Sequence, residues 1–277
     1  MKKALIFLII SLHIGLLSGQ SDFSFVFLPD LHLRPDSMVI SRFEELASEL
    51  NTLNPDFILL GGDMIYTAKN VNDKKAEALF DLMDKKFKRF NMPLYFTMGN
   101  HENVGITVES GIDKSNPDWG KRMFEKRYNK RYYSFMHDGW KFFILDGIKI
   151  LEEKKNYTSG VDSAQMDWIR DELLKTNKDI PIVVSIHTPL INPHAMTSSK
   201  SRVLSENSEA VLNLFQESNL KMVLQGHNHM YMNLLINGVH YISGGSTQFG
   251  TVPIHEGFLF VKISGGEEES KFMRLVE

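Results

Sequence analysis

The sequence predicts an α/β fold with a mixed sheet in two halves, on three observations. The N-terminal half alternates short apolar runs with amphipathic stretches of helical spacing. From Lys221 onward the chain carries strand patterns only. No Pro/Gly/Ser-rich linker, heptad run or low-complexity tract interrupts the 277 residues, of which 43% are hydrophobic, so the chain reads as one large globular domain.

FSFVFL (Phe23–Leu28) opens the series as a short, aromatic-rich buried strand. From Val39 to Leu53, apolar residues at Val39, Ile40, Phe43, Leu46, Ala47, Leu50 and Leu53 predict a helix. FILL (57–60) is the next strand. Lys74 to Phe90 is a second amphipathic helix, striped by Leu79, Leu82, Met83, Phe87 and Phe90, and PLYFTM (93–98) a third strand. Such β-α-β-α-β alternation argues a parallel arrangement. RYYSFMHDGWKFFILDG then reads as two strands joined at Asp138-Gly139. Ala164 to Thr176 is helical, IPIVVSIH a strand, Glu206 to Ser218 a helix and KMVLQGH a strand. MNLLI, VHYIS, GFLFVKI and KFMRLV complete the chain as strands.

The N-terminus stands apart. Lys2 and Lys3 precede an apolar run from Ala4 to Leu17 and then small residues Ser18 and Gly19, the order of a secretory signal peptide. Residues 1–19 are therefore expected to be a leader and 20–277 the exported domain, periplasmic or extracellular, with no stable membrane anchor after cleavage. An uncleaved anchor is the alternative, since Leu17 stands where a small residue is expected. The chain has no cysteine, which excludes a lipoprotein, disulfides and a thiolate zinc site. Losing Lys2 and Lys3, with no acid in residues 1–19, takes the formal charge from −3 to −5. An acidic domain has no general electrostatic affinity for nucleic acid. The basic run Lys121 to Arg131 is read as a solvated helix face.

Polar residues of one chemical kind gather just past the expected strands. Asp30 and His32 come after the first, Asp63 after the second, Asn100, His101 and Glu102 after the third, His187 after the strand IPIVVSI, and His227 and His229 after the strand KMVLQ. In parallel α/β sheets, ligands bind beyond the carboxyl ends of the strands. Carboxylate, amide oxygen and imidazole together suit Zn, Mn or Fe. One carboxylate can bridge two such cations, and two cations can deprotonate water and hold both oxygens of a displacement at phosphorus.

D-x-H (Asp30, His32), G-D (Gly62-Asp63), G-N-H-E (Gly99–Glu102), a lone post-strand histidine (His187) and G-H-x-H (Gly226–His229), in this order, resemble the calcineurin-like metallophosphoesterase superfamily. The resemblance implies a four-layer α-β-β-α sandwich of two mixed sheets with helices on the outer faces. It implies two divalent or trivalent transition-metal ions (Mn, Fe or Zn). Asp30, His32, Asp63 and His229 would hold the first, with Asp63 bridging, and Asn100, His187 and His227 would complete the second. His101, not a ligand in the family, would bind the phosphate with Asn100 and protonate the leaving oxygen. Asp63 to Tyr66 also matches the G-D-x-x-Y of purple acid phosphatases, whose tyrosine ligates iron but which lack a histidine at the position of His32. With His32 present, Tyr66 is read as a substrate-contacting pocket phenol.

The resemblance thus implies an exported phosphoesterase in which a metal-bridging hydroxide attacks a small phosphate ester. No arginine or lysine lies inside a motif; Arg34 follows Asp30-Leu-His32-Leu, and Lys200 and Arg202 lie past His187. Met64, Tyr66, Met230 and Tyr231 offer neutral or aromatic neighbours, so nucleotide-type diesters are the expected substrates. A phosphomonoesterase or protein phosphatase of the same superfamily is the alternative. A non-catalytic, metal-stabilised binding protein is a further one, against which the presence of His101 speaks. Trp119, Lys121, Arg122, Asp146, His194 and His255 are candidates for the rim, and His137 and His240 for ordinary sheet histidines.

Overall fold

Phe23, Phe25 and Phe27 point to one face of the first strand, and Val26 and Leu28 to the other. That period of two divides the molecule into layers, as a strand buried on both faces must. The computed structural model describes residues 22–128, 130–193, 204–247 and 256–275. The expected leader, His194, His255, Lys200 and Arg202 lie outside the described residues.

Strands β1 (Phe23–Leu28), β2 (Phe57–Leu60) and β3 (Leu94–Phe96) pair in parallel, with helices α1 (Ser37–Leu53) and α2 (Asp73–Phe87) as the crossovers. The C-terminal hairpin, β12 (Gly257–Ser264) with β13 (Glu267–Arg274), returns to this sheet. It gives the order β13-β12-β1-β2-β3. The second sheet contains β4 (Tyr133–His137), β5 (Trp140–Leu145), β8 (Pro181–Ile186), β9 (Asn219–Gln225), β10 (Tyr231–Ile236) and β11 (Val239–Gly244). They are arranged β10-β11-β9-β8-β5-β4, parallel at the centre and antiparallel at both edges.

Between the sheets, Phe25, Phe27, Phe57 and Leu59 meet Phe142, Ile144, Val183 and Leu224. Phe25 and Phe57 stack at 5.1 Å and Phe142 stands edge-on to both, an arrangement worth more than burial alone. Outside the first sheet, Val39, Phe43, Leu46 and Leu50 of α1 pack with Phe80 and Met83 of α2. Outside the second, Ile169 of α4 (Ser163–Leu174) and Val211 of α5 (Ser208–Leu214) cover Phe143, Val184 and Ile186. The observed architecture is the expected four-layer sandwich. Asp36, Asn72 and Asp162 cap α1, α2 and α4, accepting from first-turn N–H groups and so fixing where each begins.

Two readings change. The basic run is a solvated face only in part: Arg122, Lys126 and Lys130 are exposed, while Lys121, Arg127 and Arg131 are half-buried. Helix α3 (Arg122–Tyr128) buries Met123 and Phe124, which brings the run against acids on other elements. Arg127 pairs with Asp81 at 2.8 Å and Asp84 at 2.5 Å, and Arg131 with Asp146 at 2.7 Å and Asp162 at 2.9 Å. Asp146 also takes Lys121 at 2.5 Å and is buried, so it is a structural anchor and not a rim residue. The second change is an extra hairpin, β6 (Ile148–Leu151) with β7 (Asn156–Ser159), which the sequence pattern does not announce.

Candidate metal centre

The loops that leave β1, β2, β3, β8 and β9 converge at one end of the two sheets. Among the described residues nine non-glycine residues have left-handed φ, and five are in these loops: Asp30 (55°), His32 (49°), Asp63 (52°), His227 (69°) and His229 (54°). Such backbone is uncommon for residues with a Cβ and persists where surroundings over-determine it. Here they do. Asp30 N–H donates to Gly62 O and His32 N–H to Asp63 O, both at 2.9 Å, lacing the first two loops together. His227 N–H donates to Asp30 Oδ2 at 2.9 Å, and His101 N–H to Asp63 Oδ1 at 2.8 Å. Gly62 has φ of 89°, and a Cβ there would lie 2.6 Å from His187 Nδ1. At Gly99 a Cβ would lie 2.3 Å from Asp63 Oδ1, so close approach requires glycine at both positions.

Glu102 completes the scaffold, a role that its place in the G-N-H-E motif does not reveal. Its fully buried carboxylate accepts from the N–H groups of Asp63 (3.0 Å), Met64 (2.7 Å), Ile65 (3.3 Å) and Gly99 (2.8 Å). Burial and then the charge of Asp63 push its carboxyl up to about 7, while those donors favour the ionised form.

The predicted ligand residues fall into two sets, with Asp63 of the second within 4.0 Å of His32 of the first. Asp30, His32 and His229 bring one donor atom each to a common point, and Asp63, His187 and His227 do the same beside it. Asp63 Oδ2 lies 3.8 Å from His32 Nε2, 3.3 Å from His187 Nε2 and 3.7 Å from His101 Nε2. Asn100 Oδ1 is 3.2 Å from His187 Nε2 and joins the second set. His227 and His229, separated by one residue, thus belong to different sets. His187 Nδ1–H donates to Gly61 O at 2.9 Å, which leaves Nε2 to face Asp63.

The donors fit cations. His32 Nε2 and His229 Nε2 face each other at 3.1 Å, and Asp30 Oδ1, 3.4 Å from His229 Nε2, is buried without a hydrogen bond of good geometry. Ring nitrogens and carboxylate oxygens aimed at one point are what a borderline cation requires. The local field agrees. Burial opposes charge on His187, yet Asp63 raises it to about 10, so this position attracts a proton or a metal. Burial likewise opposes charge on His229, and Asp30 raises it. His227 is pushed down to about 3 by burial and by His187, which leaves its imidazole neutral and able to ligate.

A family model described as calcineurin-like phosphoesterase matches residues 23–231. The chain belongs to that family. The clusters suit the dinuclear metal site of a calcineurin-like phosphoesterase, and the enzyme class is a metal-dependent phosphoester hydrolase. The chain is 22% identical to a probable cyclic nucleotide phosphodiesterase of Psychrobacter arcticus, over 75% of this chain and 68% of the relative. It is 23% identical to a 3',5'-cyclic-nucleotide phosphodiesterase of Nostoc sp., over 76% of this chain and 67% of the relative. A dimetal phosphatase from Danio rerio shares the fold, with a TM-score of 0.62 at 13% identity, covering 90% of this chain and 98% of that one.

Around this phosphoesterase centre the outer residues sort differently from expectation. Tyr66 is 44% exposed, with the Arg34 guanidinium 5.3 Å from its ring centre. Met64 is fully buried in the hydrophobic core, so it offers no ester arm a neighbour. Tyr231 stacks on Phe272 at 4.4 Å. His240 bonds Asn233 at 2.8 Å, and His137 stands edge-on to Phe23 and Phe57, both as sheet residues. Lys69, outside every motif, places Nζ 3.1 Å from His101 Nε2 and 5.5 Å from the Tyr157 ring centre. A cation does therefore reach the site. Only the backbone lacing of two loops brings it there, which no short motif encodes.

Proposed function

We propose that the chain is an exported phosphodiesterase that cleaves nucleotide-type diesters of phosphate. The observation that carries the phosphoester chemistry is Asp63 Oδ2, which lies 3.8 Å from His32 Nε2 of one ligand set, 3.3 Å from His187 Nε2 of the other and 3.7 Å from His101 Nε2. Support for diesters comes from the names of the Psychrobacter and Nostoc relatives and from the exposed Tyr66 ring, on which a base can stack.

Asp30, His32, Asp63 and His229 would hold one transition-metal ion and Asp63, Asn100, His187 and His227 a second. Bound there, the pair would supply the Lewis acidity that hydrolysis at phosphorus needs near neutral pH. The chain's own contribution is positional. The Tyr66 carbonyl accepts the Nδ1–H of His101, which turns Nε2 toward Asp63. As the oxygen of a water that gives up a proton to solvent bonds to phosphorus and the bond to the leaving oxygen breaks, the Nε2 proton of His101 passes to that leaving oxygen. Burial lowers the His101 pKa below the ordinary imidazole value, with Asp63 opposing the shift and Lys69 adding to it. Export is proposed from the lysine-then-apolar order of residues 1–19, and N-terminal sequencing of the secreted protein checks it.

A phosphomonoesterase is the second reading, favoured by Lys69 beside His101, since a dianion gains most from an ammonium group. Metal-reconstituted protein assayed against bis-p-nitrophenyl phosphate, p-nitrophenyl phosphate and cyclic AMP decides between them. The proposal expects the higher kcat/KM on the diesters. A monoester preference above roughly tenfold, about 1.4 kcal/mol, makes this a phosphatase.

A further inference from the structure

We propose that Lys69 contacts the substrate phosphate from the His101 side and sets how strongly the enzyme prefers dianionic monoesters over monoanionic diesters. This rests on the phosphoesterase reading above.

Lys69 is held, not merely nearby. Ala68 N–H donates to His101 O at 2.7 Å, and Gly105 N–H to Ala68 O at 3.0 Å. Thr107 donates to Lys69 O through N–H at 3.1 Å and through Oγ1 at 3.2 Å. With the His101 bond to Tyr66 O, these contacts register residues 66–69 against residues 101–107. The half-buried ammonium then meets the face of Tyr157 on the β6–β7 hairpin.

The ammonium has unspent capacity. Nζ lies 3.1 Å from His101 Nε2, a hydrogen bond that forms only while Nε2 carries no proton, so all three donors are free when His101 holds its acid proton. Among the described residues no carboxylate oxygen comes within 4.0 Å of Nζ. Burial lowers its pKa, while the charges of Asp63 and Glu102 act to keep it protonated. Half-burying a lysine beside a histidine, with no paired acid, costs desolvation that a phosphate oxygen would repay. That oxygen is bound to the same phosphorus whose leaving group His101 faces. A second negative charge on the substrate strengthens the contact, so the monoester gains more from it than the diester.

The test compares Lys69→Gln and Lys69→Arg with the parent, all metal-reconstituted. The readouts are metal content, kcat and KM on mono- and bis-p-nitrophenyl phosphate, and calorimetric affinity for inorganic phosphate. Lys69→Gln should keep its metal and lose roughly 10- to 100-fold in phosphate affinity and in monoester kcat/KM, chiefly through KM. Diester kcat/KM should fall much less, and Lys69→Arg should recover part of the loss. Lys69→Met serves in the same assays if the glutamine variant does not fold. Unchanged phosphate affinity with equal losses on both substrates reduces Lys69 to positioning His101 and overturns the proposal, as does no change anywhere. If the parent cleaves neither ester, the phosphoesterase reading fails instead, and phosphate calorimetry still decides the role of Lys69.

Discussion

Asp63 Oδ2 lies 3.3 Å from His187 Nε2, both side chains buried, while the other carboxylate oxygen accepts the His101 N–H. With His32 Nε2 3.8 Å from the first oxygen, Asp63 faces both ligand sets and holds the loop that carries the acid. Asp63→Asn should lower bound metal at both sites and abolish diester cleavage. Elemental analysis of protein purified without chelator, alongside the parent, checks this, and a variant with full metal content and full activity refutes the shared role.

His101→Ala should leave metal content intact and slow turnover by roughly a hundredfold or more on alkyl esters, the scale of general-acid catalysis. A p-nitrophenolate leaving group hardly needs a proton, so its penalty should be smaller. Equal losses on both kinds of ester would leave His101 with phosphate positioning only.

Much of this centre is legible in the sequence because each motif comes directly after an apolar strand. FVFL, FILL and VVSI announce their ends, and a sheet's carboxyl edge collects the residues that come next. The two-sheet core is legible for the same reason, in the alternation of Phe23, Phe25 and Phe27 with Val26 and Leu28. The β6–β7 hairpin is not, because Glu152 to Asn156 interrupts its short strands with an exposed charged turn. Lys69 and Glu102 escape for a different reason. Their roles depend on which groups meet across 32 to 39 positions, and spacing along the chain does not report that. The burial of Met64 shows the limit at one residue's remove, since its neighbour Asp63 faces the site while it joins the hydrophobic core.

Glu102→Gln should destabilise the protein although no ligand changes. The amide can present only one oxygen to four N–H donors, and its NH2 group would meet donors head-on. A loss of about 1–3 kcal/mol or more is expected in chelator-treated protein by chemical denaturation. Unchanged stability would mean the loops hold their left-handed residues without this carboxylate.

Acid stability should depend in part on Glu172, far from the centre. Lys141 bonds it at 2.6 Å and Ser134 at 2.8 Å, which holds its carboxyl below the ordinary glutamate value of 4.5. A depressed carboxyl stabilises the fold above its unfolded pKa, and that contribution fades as pH falls through the folded one. Glu172→Gln should therefore lower Tm at pH 7 and narrow its gap to the parent at pH 3. A gap that widens on acidification would contradict the pairing.

Whether one carboxylate joins two metal sites is tested most directly by the spectrum of the manganese-loaded protein. Titration with Mn(II) should saturate at two equivalents per chain and give an exchange-coupled multiline EPR signal that Asp63→Asn abolishes. Saturation at one equivalent, or two isolated six-line signals in the parent, would contradict it.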